Sequence, residues 1–231
     1  MAGKTTEKNV DKELEERIAE LERKAQLLDD IIEIINLQSR FNYYLELNNT
    51  DRIVNELFAQ EDADVSCEIG DAGIYVGIES IRRFWEARHD IQSIKGYLGT
   101  VMLETPHIQV GRDGRHARGI WHGFGPNSVP VTQPLRQATG ERARLEATWY
   151  MGKYQNEYVK EKGEWRIKKL CALKYFQCPY DTSWMEAADV YSFAPPASVC
   201  APDRPGTHTP YDPNGTVLIL PKAPEPRGLT Y

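Results

Sequence analysis

The side chains in this sequence best suited to chemistry are one histidine and a group of tyrosines. His122 lies in Gly119-Ile120-Trp121-His122-Gly123-Phe124, where flanking glycines let another group approach the backbone. Imidazoles titrate near neutrality, so His122 is suited to take or deliver a proton in an elimination. Tyr150 and Tyr154, expected on an adjacent strand, offer phenolic donors to an enolate, phenolate or quinone-methide oxygen where water is excluded. Arg118 shares the strand face of His122, Ile120 and Phe124. It is read either as a clamp for a carboxylate or phenolate or as the ion-pair partner of Glu146 across strands. Lys169 is the odd charge among aromatic residues. Buried, it would serve as a base or carbonyl partner, whereas a strand bulge would turn it outward, and the second reading is favoured. Tyr43 and Tyr44, adjacent on a helix, point in different directions, so one of them is expected to line the pocket. The candidate set is therefore His122, Tyr150, Tyr154 and Tyr44 for catalysis. Tyr43, Arg118, Trp121, Phe124, Asn156, Trp165 and Lys169 are the candidates for substrate contact, with Trp121 and Trp165 as apolar walls. No spacing joins His107, His116 or His208 to His122 in a metal site, no metal or cofactor is expected, and no GxSxG, Walker or GxGxxG element occurs.

The element that must position these groups runs from Ala143 to Phe176. Two β-prone stretches flank Lys160-Glu161-Lys162-Gly163, which predicts a hairpin. With Val159 and Glu164 flanking a four-residue loop, Glu157 falls opposite Arg166, and Met151, Lys153, Gln155 and Lys168 share their wet face. The other face carries Thr148, Tyr150, Gly152, Tyr154, Asn156 and Tyr158, with Trp165, Ile167, Lys169, Cys171, Leu173 and Tyr175 from the second strand. So many hydroxyls make a poor dry core, because each unpaired buried polar group costs about 1–3 kcal/mol. They suit a pocket wall, or a half-buried face with hydroxyls at the rim.

The chain has 231 residues, 41% of them hydrophobic, enough for one domain with extensions. A net charge of −6 with no basic stretch argues against a nucleic-acid partner, and the absence of a long apolar run against a membrane span. With a charged N-terminus, a cytoplasmic protein is expected. Cys67, Cys171, Cys178 and Cys200 are widely spaced and are expected to be free thiols. Leu14, Ile18, Leu21, Ala25, Leu28, Ile32 and Ile35 step by four and three among charged residues, which predicts a long amphipathic helix continuing through Leu47. It is either a coiled-coil arm joining subunits or a helix lying on its own domain. Asn48-Asn49-Thr50-Asp51 ends it, with Asn49 or Thr50 capping a second helix through Phe58. Strands at 62–68 and 74–76, a third helix to about His89, and strands at 97–110 and 115–124 follow. Gly125 to Gly140 reads as a long loop, and residues 178–231, with ten of the fourteen prolines, as an extended arm packed on the body or on a neighbouring subunit.

Helices followed by a bent antiparallel sheet, together with three sequence elements, give a resemblance. Asn48–Ala63 (NNTDRIVNELFAQEDA), Ile74–Phe84 (IYVGIESIRRF) and the hairpin Gly152–Val159 through Gly163–Ile167 are similar to elements of the SnoaL-like family of the nuclear transport factor 2-like superfamily, over about residues 30–176. The resemblance implies an α+β fold: a cone-shaped barrel of strongly curved mixed or antiparallel sheet wrapped on about three N-terminal helices, with a helical extension at 1–29, the barrel at 30–177 and the proline-rich arm at 178–231. It also implies a conical pocket and a homodimer or higher homo-oligomer. Family members include cofactor-free dehydratases, cyclases, isomerases and lyases as well as binding modules. Where dehydratase-like members carry a catalytic Asp and His, this chain has Leu47 and Thr100-Val101, so that pair does not carry over. The expected function is a cofactor-independent lyase that removes water or a small carbonyl fragment such as formaldehyde from an aromatic or polycyclic molecule. An isomerase or cyclase, and a non-catalytic ligand-binding or assembly module, are the alternatives.

Overall fold

A computed structural model of the chain describes residues 2–130, 145–187, 191–207, 209 and 211–215. Helix α1 (Ala2–Glu46) is continuous, as its heptad spacing predicts. It stops where Asn48 takes the left-handed backbone conformation (φ 52°), and the Asn49 side chain accepts the Arg52 N–H at 3.2 Å to start α2 (Thr50–Arg52), which runs into a wider turn at Ile53–Leu57. From Asp30 onward α1 has a buried face, made by Asp30, Ile34, Leu37, Gln38, Phe41 and Tyr44. Helix α3 (Ile78–Gln92) contributes Ile81, Phe84, Trp85 and Arg88 from one helical face. Among the described residues no helix is long and apolar enough to cross a membrane, and all four cysteines are free.

The sheet is curved, open and mixed, in the order β2 (Ile74–Val76), β1 (Ser66–Ile69), β7 (Glu164–Pro179), β6 (Leu145–Glu161), β5 (His116–Pro130), β3 (Leu98–Gly99), with β4 (Met102–Val110) also on β5. β1 runs parallel to β7; the other named pairs are antiparallel. The central hairpin forms, but its loop is shorter than the sequence reading. Lys162 and Gly163 alone turn the chain, both at positive φ (51° and 89°), and Val159 rather than Glu157 faces Arg166. The shift is two residues, so the facing of β6 is unchanged and Thr148, Tyr150, Tyr154, Asn156 and Tyr158 are buried.

β7 departs from strict alternation. A bulge between Glu157 and Tyr158 in the pairing inserts one residue, so Trp165 and Ile167 face the helices, then Leu170, Ala172 and Lys174 do, while Lys169 and Cys171 turn outward. A second irregularity follows at Met151/Gly152. β5 also runs further than expected, through Pro126 to Pro130; the rest of the expected 125–140 loop lies outside the described residues. The C-terminal arm packs on the body. The Tyr75 hydroxyl donates to Cys200 O at 3.2 Å, the Val76 N–H to Asp203 at 2.8 Å, and the Tyr211 N–H to Tyr175 O at 2.8 Å.

Candidate functional site

The concave face of the sheet looks toward α1 and α3, and its most unusual residues are two tyrosines. Tyr150 and Tyr154 are 4% and 3% exposed, yet neither hydroxyl has a hydrogen-bond partner among the described residues. Three other buried tyrosines behave differently. Tyr158 donates to Gln38 Oε1 at 2.9 Å, Tyr44 to Glu56 at 3.0 Å, and Tyr75 to Cys200 O. Paired glycines make room for the free phenols. Gly123 and Gly152 face each other on β5 and β6. A methyl on Gly152 would meet the Tyr150 hydroxyl at 2.2 Å, and one on Gly123 would meet the Tyr154 ring at 3.1 Å. Trp121, buried beside Tyr154 in the strand pairing, and Phe41, whose ring centroid is 6.3 Å from that of Tyr154, supply apolar wall.

Two buried cations and one ring of the C-terminal arm complete this face. Arg88 donates to Phe193 O at 3.0 Å and lies 5.1 Å from the Phe193 ring centroid, while its Nε has no partner among the described residues. Lys174 donates to Tyr191 O and sits 5.1 Å from the same ring. Phe193 packs edge-on against Tyr150 at 6.2 Å, and Asp71 anchors it by accepting its N–H at 2.7 Å. Trp85 Nε1, also buried, is a further donor without a partner among the described residues. Burial pushes the Tyr150 phenol well up, and neighbouring Tyr154 adds to this. Burial likewise pushes Tyr154 up, with Cys67 adding and Arg88 opposing. Both phenols therefore stay protonated at ordinary pH. The face offers neutral and cationic donors to an oxygen that carries or develops negative charge.

The other expected site residues are dispersed. Strand alternation places Trp121 on the concave face and so turns His122, Arg118 and Phe124 to the opposite one. His122 Nδ1 is 2.7 Å from Thr105 Oγ1, and its strand partner is Lys153, so the expected pairing of His122 with Tyr150 and Tyr154 is not formed. Phe124 stacks on Trp149 at 5.5 Å. Arg118 lies 4.0 Å from Glu157, not Glu146, and Lys169, turned outward by the bulge, pairs with the same Glu157 at 3.2 Å. Asn156 is fully buried but committed: it donates to Gln38 at 2.7 Å and accepts the Cys171 N–H at 2.9 Å. Trp165 is no pocket wall. Its indole N–H donates to Asp30 at 3.0 Å, where Lys160 also binds at 2.6 Å, clasping the hairpin tip to α1. Tyr43 is 65% exposed, and the Tyr44 hydroxyl is taken by Glu56.

Arg118 and Lys169 do share a cavity, an outer groove of ≈ 630 Å³ that also includes Glu68, Glu157, Arg204 and Thr207. Its charges are largely satisfied within it: Glu157 takes both cations, and Glu68 takes the Thr207 N–H and hydroxyl. Among the described residues no group of three or more His, Cys, Asp or Glu could hold a metal ion. Sequence reasoning missed Arg88, Lys174 and Phe193. Arg88 had a usable signal, since it follows Ile81, Phe84 and Trp85 at helical spacing.

An α+β cone of this construction is the nuclear transport factor 2-like fold. The SnoaL-like domain matches residues 26–170, more than half of the chain, and the chain belongs to that family. Solved structures share the fold. A candidate scytalone dehydratase from Novosphingobium aromaticivorans superposes with TM-score 0.53 at 16% identity, over 72% of this chain and 95% of its own. A type 2 hexachlorocyclohexane dehydrochlorinase (LinA) gives 0.53 at 14% identity, over 69% and 95%, and a further LinA structure 0.52 at 13%, over the same shares. No protein of curated function matches the sequence.

Proposed function

We propose that this chain is a cofactor-independent lyase that eliminates water or a small carbonyl fragment from an aromatic substrate bound against the concave face. One observation carries the reading: Tyr150 and Tyr154 are buried donors that the fold leaves unused, beside the Arg88 guanidinium. The fold similarity to a dehydrochlorinase and a candidate dehydratase supports an elimination. The step suits a hydroxylated benzylic substrate. Arg88 holds the substrate phenol as its phenolate, whose electron pair moves through the ring as the benzylic C–O bond breaks. The departing hydroxide takes a proton from Tyr150 or Tyr154 and leaves as water, and a quinone methide remains. The phenol proton passes to bulk water when Arg88 binds the phenolate, and the tyrosinate left after elimination takes a proton back from bulk water, so atoms and charge balance. Burial keeps both phenols protonated and so fit to donate.

The test is a mass-spectrometric turnover screen of the purified chain, without added cofactor, against hydroxylated aromatics, diaryl propanoids and polyketide-like phenols. Conversion with loss of water or formaldehyde is the expected result. A product of unchanged mass would replace the lyase with an isomerase or cyclase, and binding without conversion would make the cone a ligand-holding module.

A further inference from the structure

Helix α1 carries two apolar faces, and the body of the protein uses only one. Asp30, Ile34, Leu37 and Phe41 are buried against the sheet and the other helices. Leu28 and Ile32 lie about 200° around the helix from Asp30 and Ile34, and they are exposed together with Leu14, Ile18 and Leu21, at 47% to 60%. Such a stripe of large aliphatic side chains on a helix that leaves the body has no partner among the described residues. Its spacing is that of a coiled-coil seam: Ile18, Ala25 and Ile32 repeat every seven residues at one seam position, and Leu14, Leu21 and Leu28 at the other.

The charges beside the seam select the partner and its direction. One flank carries Arg17 and Lys24; the other carries Glu15, Glu22 and Asp29. In a parallel pair the basic flank of each helix meets the acidic flank of the other, so that Arg17 faces Glu22 of the partner subunit and Lys24 faces Asp29 of the partner subunit. An antiparallel pair of the same helices would set base against base and acid against acid, which is repulsive. Isoleucine at two of the three first seam positions, Ile18 and Ile32, with leucine at the second favours two strands over three or four. Glu20 bridges the basic flank within each helix, 2.6 Å from Lys24 and 3.9 Å from Arg17, and holds those side chains along the helix.

We propose that residues 14–35 of α1 pair with the same segment of a second copy of this chain as a parallel, in-register, two-stranded coiled coil, tethering two cones side by side at its C-terminal end. The inference is independent of the reaction assigned to the cone.

Position-specific crosslinking of the full chain tests it. Leu14→Cys places a thiol on the seam, far from the midpoint of the paired segment, so only a parallel, in-register pair brings it against its own copy. Glu16→Cys places one on the outer side of the same turn. The native thiols are buried or half-buried, and the unaltered chain reports their background. Mild oxidation is expected to convert most of the Leu14→Cys chain into a disulfide-linked dimer while Glu16→Cys stays at background. Adding Leu21→Glu, an exposed change that leaves the body folded by circular dichroism, is expected to cut the crosslinked fraction at least tenfold. Equal crosslinking of Leu14→Cys and Glu16→Cys, or none above background in Leu14→Cys, would overturn the proposal, whether or not the cones associate by another surface.

Discussion

Tyr150 and Tyr154 differ from three other buried tyrosines by what they lack. Tyr44, Tyr75 and Tyr158 each spend the hydroxyl on a partner within the fold, whereas these two keep theirs available at under 5% exposure. Two phenols on one face without a partner among the described residues are the donors that the proposed reaction uses. The glycine beneath Tyr150 is part of the arrangement. In Gly152→Ala the new methyl would lie 2.2 Å from the Tyr150 hydroxyl and 2.7 Å from Leu173 O, so the variant is expected to lose about 1–3 kcal/mol in urea denaturation and to turn substrate over more slowly through displacement of Tyr150. Arg88→Gln should raise KM about tenfold for a phenolic substrate, the loss expected of one charged hydrogen bond. It should leave a methylated analogue's KM unchanged; equal effects on both would remove Arg88 from oxygen recognition. At this scale the sequence was half legible. The alternation from Thr148 to Tyr158 gives the right face for both tyrosines, but nothing near Gly119–Phe124 says which parity of β5 looks inward, because Trp121 and His122 are both plausible pocket residues.

The elements were more legible than their joints. Heptad spacing located α1, and the Asn48-Asn49 pair located its end, since the same residue types adopt left-handed backbone and cap helices. The bulge in β7 was foreseen only as one fate of Lys169, and its further consequence, the inward turn of Lys174, had no local mark: an inserted residue changes facing without changing composition. Trp165 and Lys160 were read as wall and loop, yet they meet Asp30 and fix α1 to the hairpin tip. Burial alone would raise the Asp30 carboxyl, but the bonds from Lys160, Trp165 and Gln26 outweigh it and lower its pKa. A carboxylate lowered in the folded state stabilises above the unfolded value, about 3.9, and that contribution is lost as pH falls through the folded value. Asp30→Asn is therefore expected to cost about 2 kcal/mol at pH 7, and thermal melts of the two chains should converge as the pH is lowered from 5 toward 2.5. A constant gap across that range would mean that the clasp does not depend on the ionised carboxylate.

For the whole molecule, the order of helices, hairpin and tail was enough to reach the SnoaL-like family, because the three sequence elements report the fold rather than the reaction. The contacts on which the proposed reaction rests cross long stretches of chain. Arg88 on α3, Tyr150 and Tyr154 on β6 and Phe193 on the arm meet only after folding, so no local motif could announce them. The most direct measurement is turnover of one phenolic substrate by Tyr150→Phe, Tyr154→Phe and His122→Ala chains. Loss of an oxygen-stabilising donor typically slows turnover about 10²–10³-fold. That loss is predicted for each tyrosine variant, with His122→Ala, on the opposite face, at the rate of the unaltered chain. A His122→Ala chain that loses turnover while both tyrosine variants keep theirs would contradict the account and move the chemistry to the other side of the sheet.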